Sequence, residues 1–168
     1  GELISVDLRT GRCHLAARAP GTSYAFSIDP AATGAVVSGP QIGVWSVPFD
    51  AHGRPRQLVA SLSARALLLD DRGDRFYAAE NRVKARILRA EVTPLHVDID
   101  VFARGLHSPR ALLRDPAGGL LVAEAFGSGR VVRTRGVRPP VVLFENLGRP
   151  VDLAGRDETA QRLIVADA

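Results

Sequence analysis

The stretch "SARALLLDDRGDRFYAAENRVKARILRA", from Ser63, can be laid over "SPRALLRDPAGGLLVAEAFGSGRVVRT", from Ser108. Each runs as a short apolar segment, a turn containing aspartate, a second apolar segment, an acidic residue, a loop, then an arginine and a third apolar segment. Glu80 and Arg86 stand six residues apart, as do Glu124 and Arg130. Weaker copies flank the pair: "TSYAFSIDPAATGAVVSGPQIGVWSV", from Thr22, and "RPVDLAGRDETAQRLIVADA", from Arg149. With Tyr24, Arg65, Arg110 and Val151 in register, the spacings are 41, 45 and 41 residues. A repeat of this length constrains the fold more than any single motif. One unit cannot bury its apolar surface alone and must stack on its neighbours.

The apolar runs are short, rich in Val, Leu and Ile, and cut by Gly, Pro or Asp turns, which is the pattern of strands. The stretch from Ala60 to Arg72 could also pass for a helix, but its repeat partner contains Pro109 and Pro116, which a helix interior does not accept. A fourth strand closes each unit: "RQLVASL", "IDVFARGL" and "VVLFENL". Four strands in roughly 40–45 residues is the size of a propeller blade. The expected fold is therefore all-β, a propeller of about four blade repeats within a single domain, residues 1–168. Three blades are complete, at about 22–62, 63–107 and 108–148, and one is split between 149–168 and 1–21. The end fragments hold 20 and 21 residues, close to one repeat. The half-blades are expected to close on each other or to swap with a second copy, so a larger or oligomeric propeller is an open alternative.

Bulk properties remove several classes. Nothing in the sequence approaches the run of about 18 apolar residues that a membrane-spanning helix needs, and no basic-then-apolar leader is visible. Methionine is absent, so the native start is not represented and a processed, excised or partial chain is expected. Cys13 is the only cysteine and has no internal partner, which fits a reducing compartment and a disulfide-free exported domain equally well. The net charge is +4, and every basic residue but Lys84 is arginine. These arginines are scattered and only nine aromatic residues accompany them, so a nucleic-acid interface is not the expected partner.

The third repeat, "GLHSPRALLRDPAGGLLVAEAFGSGRVVR", resembles an NHL repeat, with its proline, apolar run, Asp, Gly, "VAD"-like strand end and arginine. "LIVADA" and "GELISVDLRTGR" resemble parts of the wider group that includes gluconolactonase-like and strictosidine-synthase-like propellers. That resemblance implies a propeller, usually of six blades, and it implies little about function because propellers host unrelated activities.

The candidate chemistry lies at two registers. Glu80, Glu124 and Asp167 share one, with Ser38 in the first repeat. As a cluster near the axis they could hold a hard cation such as calcium; as single residues, each would pair with an arginine of its own blade, Glu80 with Arg86 and Glu124 with Arg130. The second register opens the inner strands: Tyr24, Arg65, Arg110 and Val151. The resemblance implies metal-ligating Asn or Asp there, and two arginines repel a cation instead. Their guanidinium forks suit a carboxylate or phosphate, unless they pair with Asp70 and Asp115. His107, beside Arg110, is the candidate acid–base residue. His14, His52 and His96 have no spacing typical of zinc ligands. Gly127, Ser128 and Gly129 read as a turn, being neither a nucleophile elbow nor a dinucleotide fingerprint. Asp98 and Asp100, on an insertion in the second repeat, read as a solvated outer edge.

These features make the expected function non-enzymatic: an NHL-like propeller that binds a protein partner or a small anionic ligand at its channel mouth. The alternative is a lactonase-like hydrolase or related biosynthetic propeller enzyme with its site in the channel.

Overall fold

The computed structural model describes residues 1–168 apart from Tyr24, Ala51, 156–162 and Ala168, together with the side chain of Asp167. Sixteen strands are present among the described residues, and no helix. Three antiparallel sheets have four strands each. The first is β3 (Ala25–Ile28), β4 (Gly34–Gly39), β5 (Gly43–Pro48) and β6 (Arg56–Val59). The second is β7 (Ala64–Leu69), β8 (Arg75–Glu80), β9 (Lys84–Val92) and β10 (Val97–His107). The third is β11 (Pro109–Arg114), β12 (Leu120–Glu124), β13 (Arg130–Thr134) and β14 (Val141–Glu145). Two-stranded sheets flank them: β1 (Glu2–Val6) with β2 (Cys13–Arg18), and β15 (Pro150–Gly155) with β16 (Leu163–Asp167). The stretch that could have passed for a helix contains strand β7.

Alternation along the second strand of each blade explains the stacking. Successive side chains of a strand point to opposite faces. In β8, Phe76 and Ala78 enter a core shared with Val36, Val44 and Leu62 of the first blade. Tyr77 and Ala79 enter a core shared with Leu112, Leu120 and Val122 of the third. In β12, Leu120 and Val122 face back to that core, while Leu121 and Ala123 face forward to Leu153. Because both faces are covered, β4, β8 and β12 read as nearly unbroken apolar runs rather than as alternating ones. Alanines at Ala78, Ala79 and Ala123, all without solvent exposure, let the sheets approach closely.

The hairpins turn on aspartate. Asp29 accepts the Ala31 N–H at 2.9 Å, Asp70 that of Arg72 at 3.2 Å, Asp115 that of Ala117 at 3.0 Å and Asp7 that of Arg9 at 2.8 Å. The same side-chain-to-backbone turn recurs at Asp50, which accepts the His52 N–H at 2.7 Å.

Register shows what the two small sheets are. In the inner pair of the second and third blades, the ladder skips one residue: Ala64 faces Glu80 and Ala66 faces Ala79, while Pro109 faces Glu124 and Ala111 faces Ala123. The β15–β16 pair has the same bulge, with Pro150 facing Asp167 and Asp152 facing Ala166. In the outer pairs the shift falls between Val44 and Trp45 and between Val131 and Val132, and β1–β2 matches it between Leu3 and Ile4. One small sheet is therefore the inner half of a blade and the other the outer half. They remain two separate sheets, and no β1–β16 ladder joins them among the described residues. Ile4, on β1, and Ile164, on β16, are exposed.

Truncating Phe76, which is fully buried between two blades, is expected to cost about 3–5 kcal/mol. Leu95→Ala, at a side chain 91 % exposed, should stay within about 0.5 kcal/mol of the parent. Chemical denaturation of both variants measures the difference.

Candidate anion site at the inner-strand bulges

Arg65 and Arg110 are the residues that the inner ladders skip. A bulge leaves its extra residue outside the pairing and re-aims the side chain. Val151 occupies the same place in β15. Tyr24, the corresponding residue of the first repeat, lies outside the described residues.

The two bulge arginines line one cavity of about 280 Å³, bounded by the inner strands β3, β7, β11 and β15. Phe26, Leu67 and Leu112 form apolar parts of its wall, and Asp152 lies on it as well. Arg110 is half-buried and forms no hydrogen bond or ion pair among the described residues. Burial, then the neighbouring charges of Arg65 and Arg149, lower its pKa from the ordinary guanidinium value. Guanidinium does not deprotonate in proteins, so this environment means a cation held at a cost that a bound anion would relieve. The expected pairing of Arg110 with Asp115 does not occur, because Asp115 forms an ion pair with Arg133. Asp70 accepts the N–H groups of Arg72 at 3.2 Å and Arg75 at 3.3 Å.

The repeating acids sit one residue pair away, at the ends of β8 and β12. Glu80 is bound by Arg86 through Nη2 at 2.5 Å, Nε at 3.0 Å and the backbone N–H at 3.1 Å. Glu124 has no solvent exposure and accepts from Arg130 Nε and from the His107 backbone N–H. Both carboxylates are thus held by an arginine of their own blade. Pro150 faces Asp167 as Pro109 faces Glu124, but the Asp167 side chain lies outside the described residues. Ser38 does not share this register. It pairs with Val44 as Ala79 pairs with Ile87, which puts Gly39 at the position of Glu80. A Cβ on Gly39 would come within 1.8 Å of the Thr22 carbonyl oxygen, so no acid fits there. The Ser38 hydroxyl instead accepts the Ala64 N–H at 3.0 Å.

Among the described residues, no group of three His, Cys, Asp or Glu side chains converges where a metal ion could bind. His107 is stacked on Phe126, ring centroids 5.3 Å apart, and does not line the arginine cavity. Asp98 pairs with His96 at 2.9 Å and Asp100 with Arg89 at 2.7 Å, on the outermost strand of the second blade. Gly127 and Gly129 have φ of 64° and 68° and make the turn between β12 and β13. A larger cleft, about 610 Å³, lies between β1 and the first blade; its wall is mostly apolar, with Leu3, Ile4 and Phe49, and Glu2 is its one ionisable residue.

Three site residues were not evident in the sequence: Arg149, Phe26 and Asp152. Asp152 had a signal. In the ladder it stands where Ala66 and Ala111 stand, a charged residue at an otherwise small apolar repeat position.

Blade-like sheets stacked side by side, with their first strands adjacent, define a β-propeller. The β-propeller domain of Cps50 (Swd1) from Myceliophteria thermophila is a similar solved structure, with TM-score 0.72 and 14 % identity over 99 % of this chain. The chain spans 56 % of that domain's length. No family model matches the sequence, and no curated protein matches it. No helix among the described residues is long and apolar enough to cross a membrane.

The Glu80 carboxyl is held below its ordinary value of 4.5, first by the Arg86 side-chain hydrogen bonds, against the opposing effect of burial. A carboxylate lowered in the folded state stabilises above its unfolded pKa, and that contribution is lost as pH falls through the folded value. Glu80→Gln should therefore be less stable than the parent at pH 7 and lose less stability on acidification below pH 4.5. Arg86→Ala, which strands a buried carboxylate beside a partly exposed site, should cost about 2–3 kcal/mol at pH 7. Denaturant midpoints across pH read both effects.

Proposed function

We propose that this chain is a non-enzymatic, NHL-like propeller binding domain that recognises a carboxylate- or phosphate-bearing partner at the bulge arginines. The carrying observation is Arg110: half-buried, beside two further guanidinium groups, and without a hydrogen bond or ion pair among the described residues. The gluconolactonase-like alternative would need cation ligands at the bulge register, and positive charge stands there instead. The propeller neighbour supports a binding scaffold only through its fold, and the partner is inferred from the chemistry of the cavity.

Assembly belongs to the same reading. The half-blades carry complementary registers and open edges, and exposed edges invite strand addition. A homo-oligomer forms when β16 of one copy pairs with β1 of another. Sedimentation of the wild type as a concentration-independent monomer, with the β1 and β16 amides unprotected from exchange, removes the oligomer but not the anion site.

A fluorescein-labelled octaglutamate peptide should bind the wild-type chain at low ionic strength, weaken as salt screens the charges, and lose about ten-fold or more in affinity with Arg110→Ala. The variant should be no less stable than the parent, since it removes a mutually repelled cation. Unchanged affinity in Arg110→Ala would overturn the site, and hydrolysis of a lactone or ester by the purified chain with a divalent ion would overturn the non-enzymatic reading.

A further inference from the structure

The arginine cavity also carries a negative charge. Asp152 lies on its wall together with Arg65 and Arg110. Its Oδ1 accepts the N–H of the adjacent Leu153 at 2.8 Å, a local bond that leaves the carboxylate charge unneutralised. It forms no ion pair with Arg110, which has no ion-pair partner among the described residues and lies on the same wall. Elsewhere in the molecule opposite charges that share a site do pair: Glu80 with Arg86, Glu124 with Arg130, Asp115 with Arg133, Asp100 with Arg89. Two opposite charges that border one cavity without meeting leave room for a ligand that answers both.

We infer that the cavity is built for a small zwitterion of amino-acid size, its carboxylate on Arg110 and Arg65, its ammonium on Asp152, and its apolar part against Phe26. Three observations converge on that class. A volume of about 280 Å³ falls just below the roughly 300–1,000 Å³ of drug-sized sites, so the occupant is small. Phe26 is 58 % exposed although it is a large apolar side chain on this wall, which favours a ligand with some hydrocarbon surface. Asp152 replaces the alanine of the neighbouring repeats, and an added carboxylate beside an anion site weakens every simple anion while favouring one that also carries a cation.

This inference rests on the anion reading of Arg110, and one titration series separates the two. Wild-type protein is titrated calorimetrically at low ionic strength with leucine, with 4-methylpentanoate, which lacks the ammonium group, and with isoamylamine, which lacks the carboxylate. Leucine should bind about ten-fold more tightly than 4-methylpentanoate, and isoamylamine should not bind. Asp152→Asn should abolish that preference by weakening leucine while 4-methylpentanoate binds as well or better, whereas Arg110→Ala should remove both. Arg110→Lys, which keeps the charge but not the fork, serves if the alanine variant does not fold, and should retain the leucine preference at lower affinity. Equal binding of leucine and 4-methylpentanoate, or a preference unchanged by Asp152→Asn, overturns the zwitterion and leaves the anion site standing. Failure of both carboxylates to bind overturns both.

Discussion

Every blade in this chain depends on the burial of its second strand from both sides. Alternate residues of β4, β8 and β12 feed two different cores, so no sheet has a core of its own. Burying apolar area contributes about 25 cal/mol per Å², and here nearly all of that gain comes from inter-sheet contact. It follows that the blades stabilise one another as nearest neighbours. The outermost strands contribute least: β14 is mostly exposed, whereas β12 is buried along its whole length. The inner strands inherit a fixed position from this stacking, and that fixed position makes a site at their bulges geometrically defined.

Polar groups that enter the stack must be answered, and the acid–arginine latch does so. Glu124 is removed from water entirely, and an isolated carboxylate there would be prohibitive. Arg130, across the ladder from it, and the His107 N–H satisfy it. The latch ties the second and third strands of the blade to the end of the preceding blade, since His107 closes β10. In the first blade, Gly39 omits the acid because the Thr22 carbonyl occupies its space. The repeating acid is thus an element of packing wherever its side chain is described, and its resemblance to a ligand set comes from the repeat rather than from convergence on one point.

Much of the architecture was legible because a repeat declares itself through spacing. The Asp turns, the four strands per unit and the Glu-to-Arg interval are local patterns, and local patterns survive in one dimension. The bulge was not legible. A single unpaired residue at Arg65 or Arg110 changes nothing in the spacing and becomes visible only when a ladder partner is skipped. The expected Arg110–Asp115 pair failed for a related reason. The two residues stand at opposite ends of β11, and at roughly 3.3 Å per residue five steps of extended chain carry them about 16 Å apart. Arg133, on the next strand, reaches Asp115 instead. Ser38 was one residue out of register because the first repeat ends its second strand in glycine, which gives no chemical mark to align.

The bulge separates architecture from chemistry at this site. Val151 occupies the bulge of β15 and shows that the backbone irregularity accepts an apolar side chain. Arginine at the other two bulges is therefore not needed to make the turn of the strand. Nor do the surroundings favour the Arg110 charge, since burial and then the neighbouring guanidinium groups of Arg65 and Arg149 oppose it. Arg86 and Arg130 answer buried acids, and their presence is explained by the fold alone. Arg110 answers nothing within the described chain. A half-buried cation beside like charges is a cost to stability that packing does not explain, and the anionic ligand proposed above would account for it.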